Sequence, residues 1–448
     1  MRLPLISTLV DRSRTDVMKA PSRLIGLIVT LLAVIVAGIY PATARSAGIS
    51  LYETGAPDLG TAGAGRAAMA ADASTAGANP AGMTLLDRSQ LLVAAGAMLP
   101  AINFHVGPHT TTARNGGGNA GVFLPLGSGF YVYKFSDRLW LGVAAGSNFG
   151  LAVDYGKQWA GRYYLTRGSL LTGQANPSIA YRVNDWLSVG AGFTVVVGRL
   201  YNQVKVNNAL PRVPDGRLSF ESWDVEAGGN VGFLLKPIPN LRIGLTYQSP
   251  IDFTFGFNPH TSGLGPGLQV ALRKSGLLGT KVNLGVTEPQ QMMASVLYQL
   301  TPALAVMGDL GWQNWSEFGQ TTLGIDATTQ KSLAVDLNYS DTIHTAIGGQ
   351  YRIGEKWLWS VGFAYDSSPV SEANRTPTLP LDRQLRYGTG IQYQVNKKVT
   401  VGTANELLDG GKAPFNVRRG PLAGRLQGGY STNLLDFLAF NLVWKFGE

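Results

Sequence analysis

The sequence predicts an all-β fold: a transmembrane antiparallel β-barrel of about fourteen strands with an N-terminal plug, or hatch, inside the lumen. Three observations carry this expectation. Large apolar residues alternate with small or polar ones over most of the chain after Ser89, and a period of two puts one set on each face of a strand. Short polar turns alternate with long loops along the same stretch, an asymmetry typical of outer-membrane barrels. The composition also departs from that of ordinary soluble chains. Of 448 residues 57 are glycine, about 13% against a usual share of about 7%, and 15% are charged against about 25%. The 45% apolar content excludes a disordered chain, and the low charge argues against a soluble surface of this size. The absence of cysteine removes disulfide frameworks, thiolate metal sites and cysteine nucleophiles.

Residues 1–46 read as a cleaved signal peptide. Lys19 and Arg23 precede an apolar run from Leu24 to Tyr40, and small residues follow in Pro41-Ala42-Thr43-Ala44-Arg45-Ser46. This is the order of an export signal, with cleavage expected near Ala44 to Ala47. The apolar run is short for a membrane-spanning helix, which needs about 20 residues. Met18 is a second candidate start, because residues 1–17 add nothing such a signal needs. The formal net charge is +9, but residues 1–46 hold six of the basic and two of the acidic residues, leaving +5 afterwards. That is no nucleic-acid footprint. No later apolar run is long enough to span a bilayer as a helix. An exported chain of this kind is either a soluble periplasmic or secreted protein or an outer-membrane barrel.

Residues 47–88 read as the plug. Gly55 to Gly65 and the alanine-rich Ala67 to Ala78 show no strand alternation. They are too small and apolar to coat a surface, yet they suit the inside of a barrel. About eight strands already fill their lumen with side chains, so a wider barrel needs other filling.

Residues 89–448 read as the barrel. In Leu241 to Gln248 every odd position is large and apolar, and every even one is polar or glycine. Trp357, Trp359, Val361, Phe363 and Tyr365 share a face, as do Tyr387, Ile391 and Val395, and Leu438, Phe440, Leu442, Trp444 and Phe446. Alternation alone also fits a soluble sandwich. Aromatic residues at the segment ends, and a glycine-rich opposite face, favour membrane girdles and a lumen. Turns are expected at Asp137-Arg138, Asn184-Asp185, 237–240, Thr301-Pro302, 354–356 and 396–398. Long loops are expected near 107–121, 149–169, 202–221, 258–287, 316–341, 367–383 and 409–426. Pairing these gives an even strand number, near fourteen.

Several fragments, taken in order, carry a resemblance: Asp72-Ala73 with Asn79-Pro80-Ala81, Ser147-Asn148-Phe149-Gly150-Leu151, Trp159-Ala160-Gly161-Arg162-Tyr163-Tyr164, Asn176-Pro177-Ser178, Asn314-Trp315-Ser316, Tyr365 to Val370, and Arg375 to Arg383. They resemble the FadL/TodX family of outer-membrane transporters for long-chain fatty acids and hydrocarbons, over nearly the whole chain after residue 46. The resemblance implies passive uptake of a hydrophobic small molecule, hatch-gated, with sideways exit beside a kinked third strand. It implies no enzyme activity and no cofactor or metal. The expected surroundings are outer-membrane lipid and lipopolysaccharide, and the expected state is a monomer without nucleic-acid partners. Barrels of this family usually end on an aromatic residue, whereas Gly447 and Glu448 follow Phe446 here.

The residues themselves suggest where such a substrate would touch. Apolar side chains on exposed loops signal a binding surface, and Phe220, Leu264 and Leu268 are candidates, although packing of the loops together explains them equally well. A carboxylate head group in an apolar cavity would want a cation. Arg162 leads that set, with Arg167, Lys157 and Lys274 behind it, and an uncharged hydrocarbon would need none. Asn79 and Pro80 of the plug, with Ser147, Asn148, Phe149 and Gly150 at the end of the third strand, are the candidate gate. Glycine in a strand marks a bulge or a close approach. Other chemistries find little support. Gly63-x-Gly65-x-x-Ala68 lacks the strand and βα unit that a dinucleotide site needs. His105 and His109 fall where a strand enters a loop, and nothing indicates the serine–histidine pair of a lipid hydrolase. A polar-solute porin would lack the plug and the apolar loops.

Overall fold

The computed structural model describes residues 58–447 apart from 113, 148–149, 209–212, 275–277, 326–330 and 381. The expected signal segment and the first residues of the expected plug, 47–57, lie outside the described residues.

Fourteen antiparallel strands close into one ring. In chain order they are β1 Ser89–Val106, β2 Leu124–Lys134, β3 Leu139–Gly146 resuming as Gly150–Asp154, β4 Arg167–Arg182, β5 Leu187–Val206, β6 Gly216–Ile238 and β7 Leu241–Gln248. There follow β8 Gln291–Gln299, β9 Leu304–Gln313, β10 Thr342–Ile353, β11 Trp357–Asp366, β12 Gln384–Gln394, β13 Val399–Asp409 and β14 Arg425–Phe446. Each pairs with the next, and the ring closes where Ser89 of β1 stands opposite Phe446 of β14. Closure removes the sheet edges around the ring except beside the second half of β3, as a bilayer demands because lipid cannot satisfy peptide groups.

The alternation read from the sequence has its expected consequence. Trp357, Trp359, Val361, Phe363, Leu438, Phe440, Leu442 and Trp444 are exposed on the outer wall, while Ser360, Ala364, Ala439 and Val443 are buried inside. The six short turns fall where expected, and the chemistry of each is local. Asn184 Oδ1 accepts from the backbone N–H groups of Trp186 and Leu187, and Asn396 Oδ1 from those of Lys398 and Val399. Ser136 and Thr301 do the same through their hydroxyls. Such side chains close a turn by replacing a backbone acceptor.

Two features differ from the sequence reading. The lumen face is not polar or glycine throughout, since Leu170, Leu200, Leu408, Leu435 and Phe437 are buried inside. The stretch between β7 and β8 is also more than a loop. Val282–Glu288 pairs with Ile251–Phe257 on one side and with Gln320–Ile325 on the other, and Gln320–Ile325 pairs in turn with Lys331–Asp336. This second, four-stranded sheet stands at the long-loop end and carries the helix Pro266–Lys274 in its connection. Phe253 and Phe255 are buried, so it shares in the interior packing.

Candidate functional site

The plug is a chain of short turns, with helical pieces at Leu59–Thr61, Arg66–Met69, Thr75–Ala78 and Pro80–Leu85. Segments this short leave most of their terminal peptide groups without internal partners, and the wall supplies them. Asp309 Oδ1 accepts from Gly65 N at 2.9 Å, Ser295 Oγ from Ala67 N at 3.0 Å, and Arg242 donates to Met69 O at 2.6 Å. Thr84 shares a 2.7 Å bond with Ser188, and Arg182 donates to Thr84 O. Glycines let the two backbones touch. A Cβ at Gly388 would lie 2.5 Å from Leu59 O, and one at Gly362 would overlap Thr61 O. The small residues on inner strand faces thus form a seat for the plug. Beside it, Asp58, Arg66, Met69 and Ser74 bound a cavity of about 10 Å³, room for one water at most.

Strand β3 is interrupted. Gly146 stands opposite Gln174 of β4, and Gly150 opposite Leu171, so between these two pairings the chain of β3 is one residue longer than that of β4. On the other side β3 meets β2 only as far as Ala145 opposite Gly129. Among the described residues, Leu124–Ser128 of β2 pair with β1 alone. The wall therefore parts between β2 and the second half of β3. Gly77 of the plug lies against this region, its would-be Cβ 3.1 Å from Ala144 and 3.4 Å from the Phe130 ring.

At the long-loop end of the lumen an aromatic cluster fills the interior. Phe104 meets Trp159, Phe415 and Tyr430 edge-on at centroid distances of 5.6, 6.3 and 5.2 Å, and Tyr155 stacks on Trp159 at 4.1 Å. Edge-to-face and offset stacking of this kind adds to simple burial. Polar tips are satisfied locally: Tyr155 OH lies 2.5 Å from Tyr430 OH and 2.9 Å from Pro377 O, and Trp159 Nε1 donates to Leu165 O. The cluster is continuous with Leu59 of the plug, so apolar groups run unbroken from loops to hatch.

The candidate residues fare unequally. Arg162 is buried next to that cluster. It donates from Nε to Asp215 at 2.8 Å and from Nη2 to Tyr163 OH at 2.8 Å, and Tyr163 donates to Asp215 at 2.7 Å. Burial, and then the Asp215 carboxylate, hold the Tyr163 hydroxyl above its ordinary pKa, so it remains a donor. Arg167 is tied to Asp154 across β3 and β4, its Nη2 at 2.5 Å. Lys157 and Lys274 are exposed. Phe220 lies in β6 and not in a loop, stacked on Phe257 at 3.9 Å. The two strands run to Val206 and from Gly216, so the connection is shorter than the loop expected over 202–221. Leu264 is buried against Gly216, whose Cβ would lie 2.7 Å away, whereas Leu268 is half-buried on the helix Pro266–Lys274.

Of the candidate gate, Gly150 opens the second half of β3, Ser147 precedes the break, and Asn148 and Phe149 lie outside the described residues. Asn79 does not reach β3. Its Nδ2 donates to Ala67 O at 2.7 Å and to Phe233 O of β6 at 3.1 Å, and its Oδ1 caps Ala81 N. Pro80 packs against Gly190 and Gly232. The fixed φ of Pro80 starts the helical piece 80–85 with Asn79 as its cap, which commits both residues to the β5–β6 side. Sequence reasoning missed Tyr155, Phe415 and Tyr430 altogether: the first two fall in stretches read as loops, and Tyr430 follows the glycine pair 428–429 just beyond one. The one local signal was the stretch 149–169, which gathers Phe149, Tyr155, Trp159, Tyr163 and Tyr164.

Comparison with known proteins agrees with this architecture. Residues 37–439 match the family described as outer membrane protein transport protein (OMPP1/FadL/TodX). The long-chain fatty acid transport protein of Escherichia coli O6:H1 is 27% identical over 408 residues, 85% of this chain and 91% of that one. Outer membrane protein P1 of Haemophilus influenzae is 28% identical over 415 residues, 83% and 88% of the two chains. Among solved structures, a Pseudomonas aeruginosa FadL homologue superposes with a TM-score of 0.80 at 20% identity, covering 90% of this chain and all of that one. The Ralstonia pickettii toluene transporter TbuX gives 0.63 at 20% identity over 89% of this chain and all of that one. A matched family model spanning most of the chain, a closed fourteen-stranded barrel and a seated plug together place this protein in the FadL/TodX family of bacterial outer-membrane transport proteins.

Proposed function

We propose that the protein takes up long-chain fatty acids or other hydrophobic small molecules passively, from an apolar entry at the loops, past the aromatic cluster, and sideways into the membrane at the interrupted β3. The observation that carries this reading is the parted wall between β2 and β3 beside a seated plug. The continuous apolar interior supports it, since a hydrophobic solute moves along such a surface without meeting bulk water. A straight path for polar solutes finds the lumen packed instead. Substrate arriving among the aromatic rings displaces them and with them Leu59, which gives the plug a reason to shift. Arg162 is the best-placed polar contact for a head group. Asn79 and Pro80 contribute to gating by fixing the plug to β6, and Ser147, Asn148, Phe149 and Gly150 by shaping the break.

The exit is testable because the chain has no cysteine. A Cβ at Gly146 would lie 3.2 Å from Ser128 Cβ, a few tenths short of the spacing a disulfide uses, about 3.5–4.5 Å. Gly146→Cys with Ser128→Cys, oxidised in the folded barrel, is expected to lower uptake of a radiolabelled fatty acid into proteoliposomes severalfold, with recovery on reduction. Full uptake by the oxidised form would remove the lateral route. Capture has its own test. Leu268→Asp is expected to raise the substrate concentration for half-maximal uptake about fivefold with little change at saturation, since one apolar contact is worth about 1 kcal/mol. An unchanged half-maximal concentration would reduce Leu268 to a packing residue.

A further inference from the structure

Arg162 has more donors than its surroundings use. Its side chain is 10% exposed, and the guanidinium lies over the Tyr163 ring, 4.3 Å from the centroid. Nε is bound to Asp215 and Nη2 to Tyr163. Nη1 is buried and has no hydrogen-bond partner among the described residues. A guanidinium brings five N–H donors in a fixed fork, and a buried donor without an acceptor is unfavourable. The Nη1 edge of the fork therefore calls for an acceptor that the described residues do not supply.

The charge of that acceptor is constrained by Asp215. This carboxylate is held at both oxygens, by Arg162 at one and by the Tyr163 hydroxyl at the other, and it already balances the guanidinium. A second carboxylate on the Nη1 edge would lie a few ångströms from the first, with one positive charge between them and little water to screen the repulsion. An ester or ketone carbonyl, or a hydroxyl, would satisfy the same donors and add no charge. We propose that Arg162, Tyr163 and Asp215 form a head-group site for uncharged oxygen acceptors on a long apolar chain, with Asp215 as the residue that sets the preference against free carboxylates. This rests on the hydrophobic-uptake reading above and narrows its substrate class.

The test compares palmitate with methyl palmitate, both radiolabelled, binding to the full protein in nanodiscs at a pH where palmitate is ionised. Partition into empty nanodiscs is subtracted, and folding of each variant is checked by heat-shifted gel mobility. The native protein is expected to bind the ester on the order of tenfold more tightly than the acid. Asp215→Asn should tighten palmitate by a similar factor and leave the ester within about twofold. Tyr163→Phe keeps the carboxylate on Arg162 and should preserve the preference for the ester. A native protein that prefers palmitate, or an Asp215→Asn variant that shifts both ligands alike, would overturn the proposal while leaving hydrophobic uptake intact. Failure of both ligands and of radiolabelled hexadecane to bind would overturn the uptake reading and this proposal together.

Discussion

Arginine in place of Val361 or Leu442 is expected to block insertion of the barrel into bilayers. Both side chains are exposed on the outer wall, Val361 at 43% and Leu442 at 44%, and in the membrane that exposure is to hydrocarbon. A guanidinium on the lipid face near the midplane costs about 2–4 kcal/mol, a large part of a typical net stability of about 5–15 kcal/mol. Gln394→Arg is the matched control, because the alternation on β12 turns Gln394 toward the lumen beside a periplasmic turn. Folding into lipid vesicles, followed by the heat-shifted gel band, measures both. Equal loss from the lumen-side and lipid-side substitutions would reverse the assignment of faces.

Valine in place of Gly362 is expected to unseat the plug while leaving the barrel folded. Its Cβ would overlap the carbonyl oxygen of Thr61, which is backbone in a closely packed turn, and neighbouring Gly60 lies 3.1 Å from the backbone of Gly390 measured from its own would-be Cβ. Overpacking where side chains can adjust costs about 1–3 kcal/mol, and here backbone meets backbone, so the plug must leave its seat. Single-channel recording in a planar bilayer should then show steady conductance, absent in the native protein, and protease should reach residues 58–86. Gly349→Val meets only an ordinary contact, 3.5 Å from Ala305 O, and should stay closed. A silent Gly362→Val channel with a protected plug would mean that the hatch accommodates the side chain.

Much of the architecture follows from local physics that a sequence displays. Period-two alternation needs only the geometry of one strand, so the facing of Trp357 to Tyr365 and of Leu438 to Phe446 was readable without any partner. Turns such as Asn184-Asp185 and 396–398 close through bonds within three residues, and they too were readable. The plug was visible as a small-residue stretch that fits neither a strand nor a surface. The family resemblance added the gating by the hatch and the interrupted strand, which no single segment announces.

Other features exist only once distant segments meet. That Gly362 and Gly388 are seats for Thr61 and Leu59 depends on contacts between residues some three hundred positions apart, and glycine in a strand looks the same whether it meets a plug, a bulge or nothing. Asn79 was a candidate gate residue for its side-chain donor and acceptor and for the family resemblance. The turn at Pro80 sends it to Phe233 instead, because an amide side chain binds whichever carbonyl the fold presents. Arg162 stood out by its surroundings in sequence, yet its partner Asp215 lies fifty-three residues away, and it is that partner which decides what charge the site can accept. The sequence by itself determined the barrel, its facing, its turns and the existence of a plug, since each is set by neighbours along one chain segment. The aromatic lining, the plug seat and the pairing of Arg162 with Asp215 were decided by tertiary structure alone, since each depends on distances between segments that no local pattern encodes.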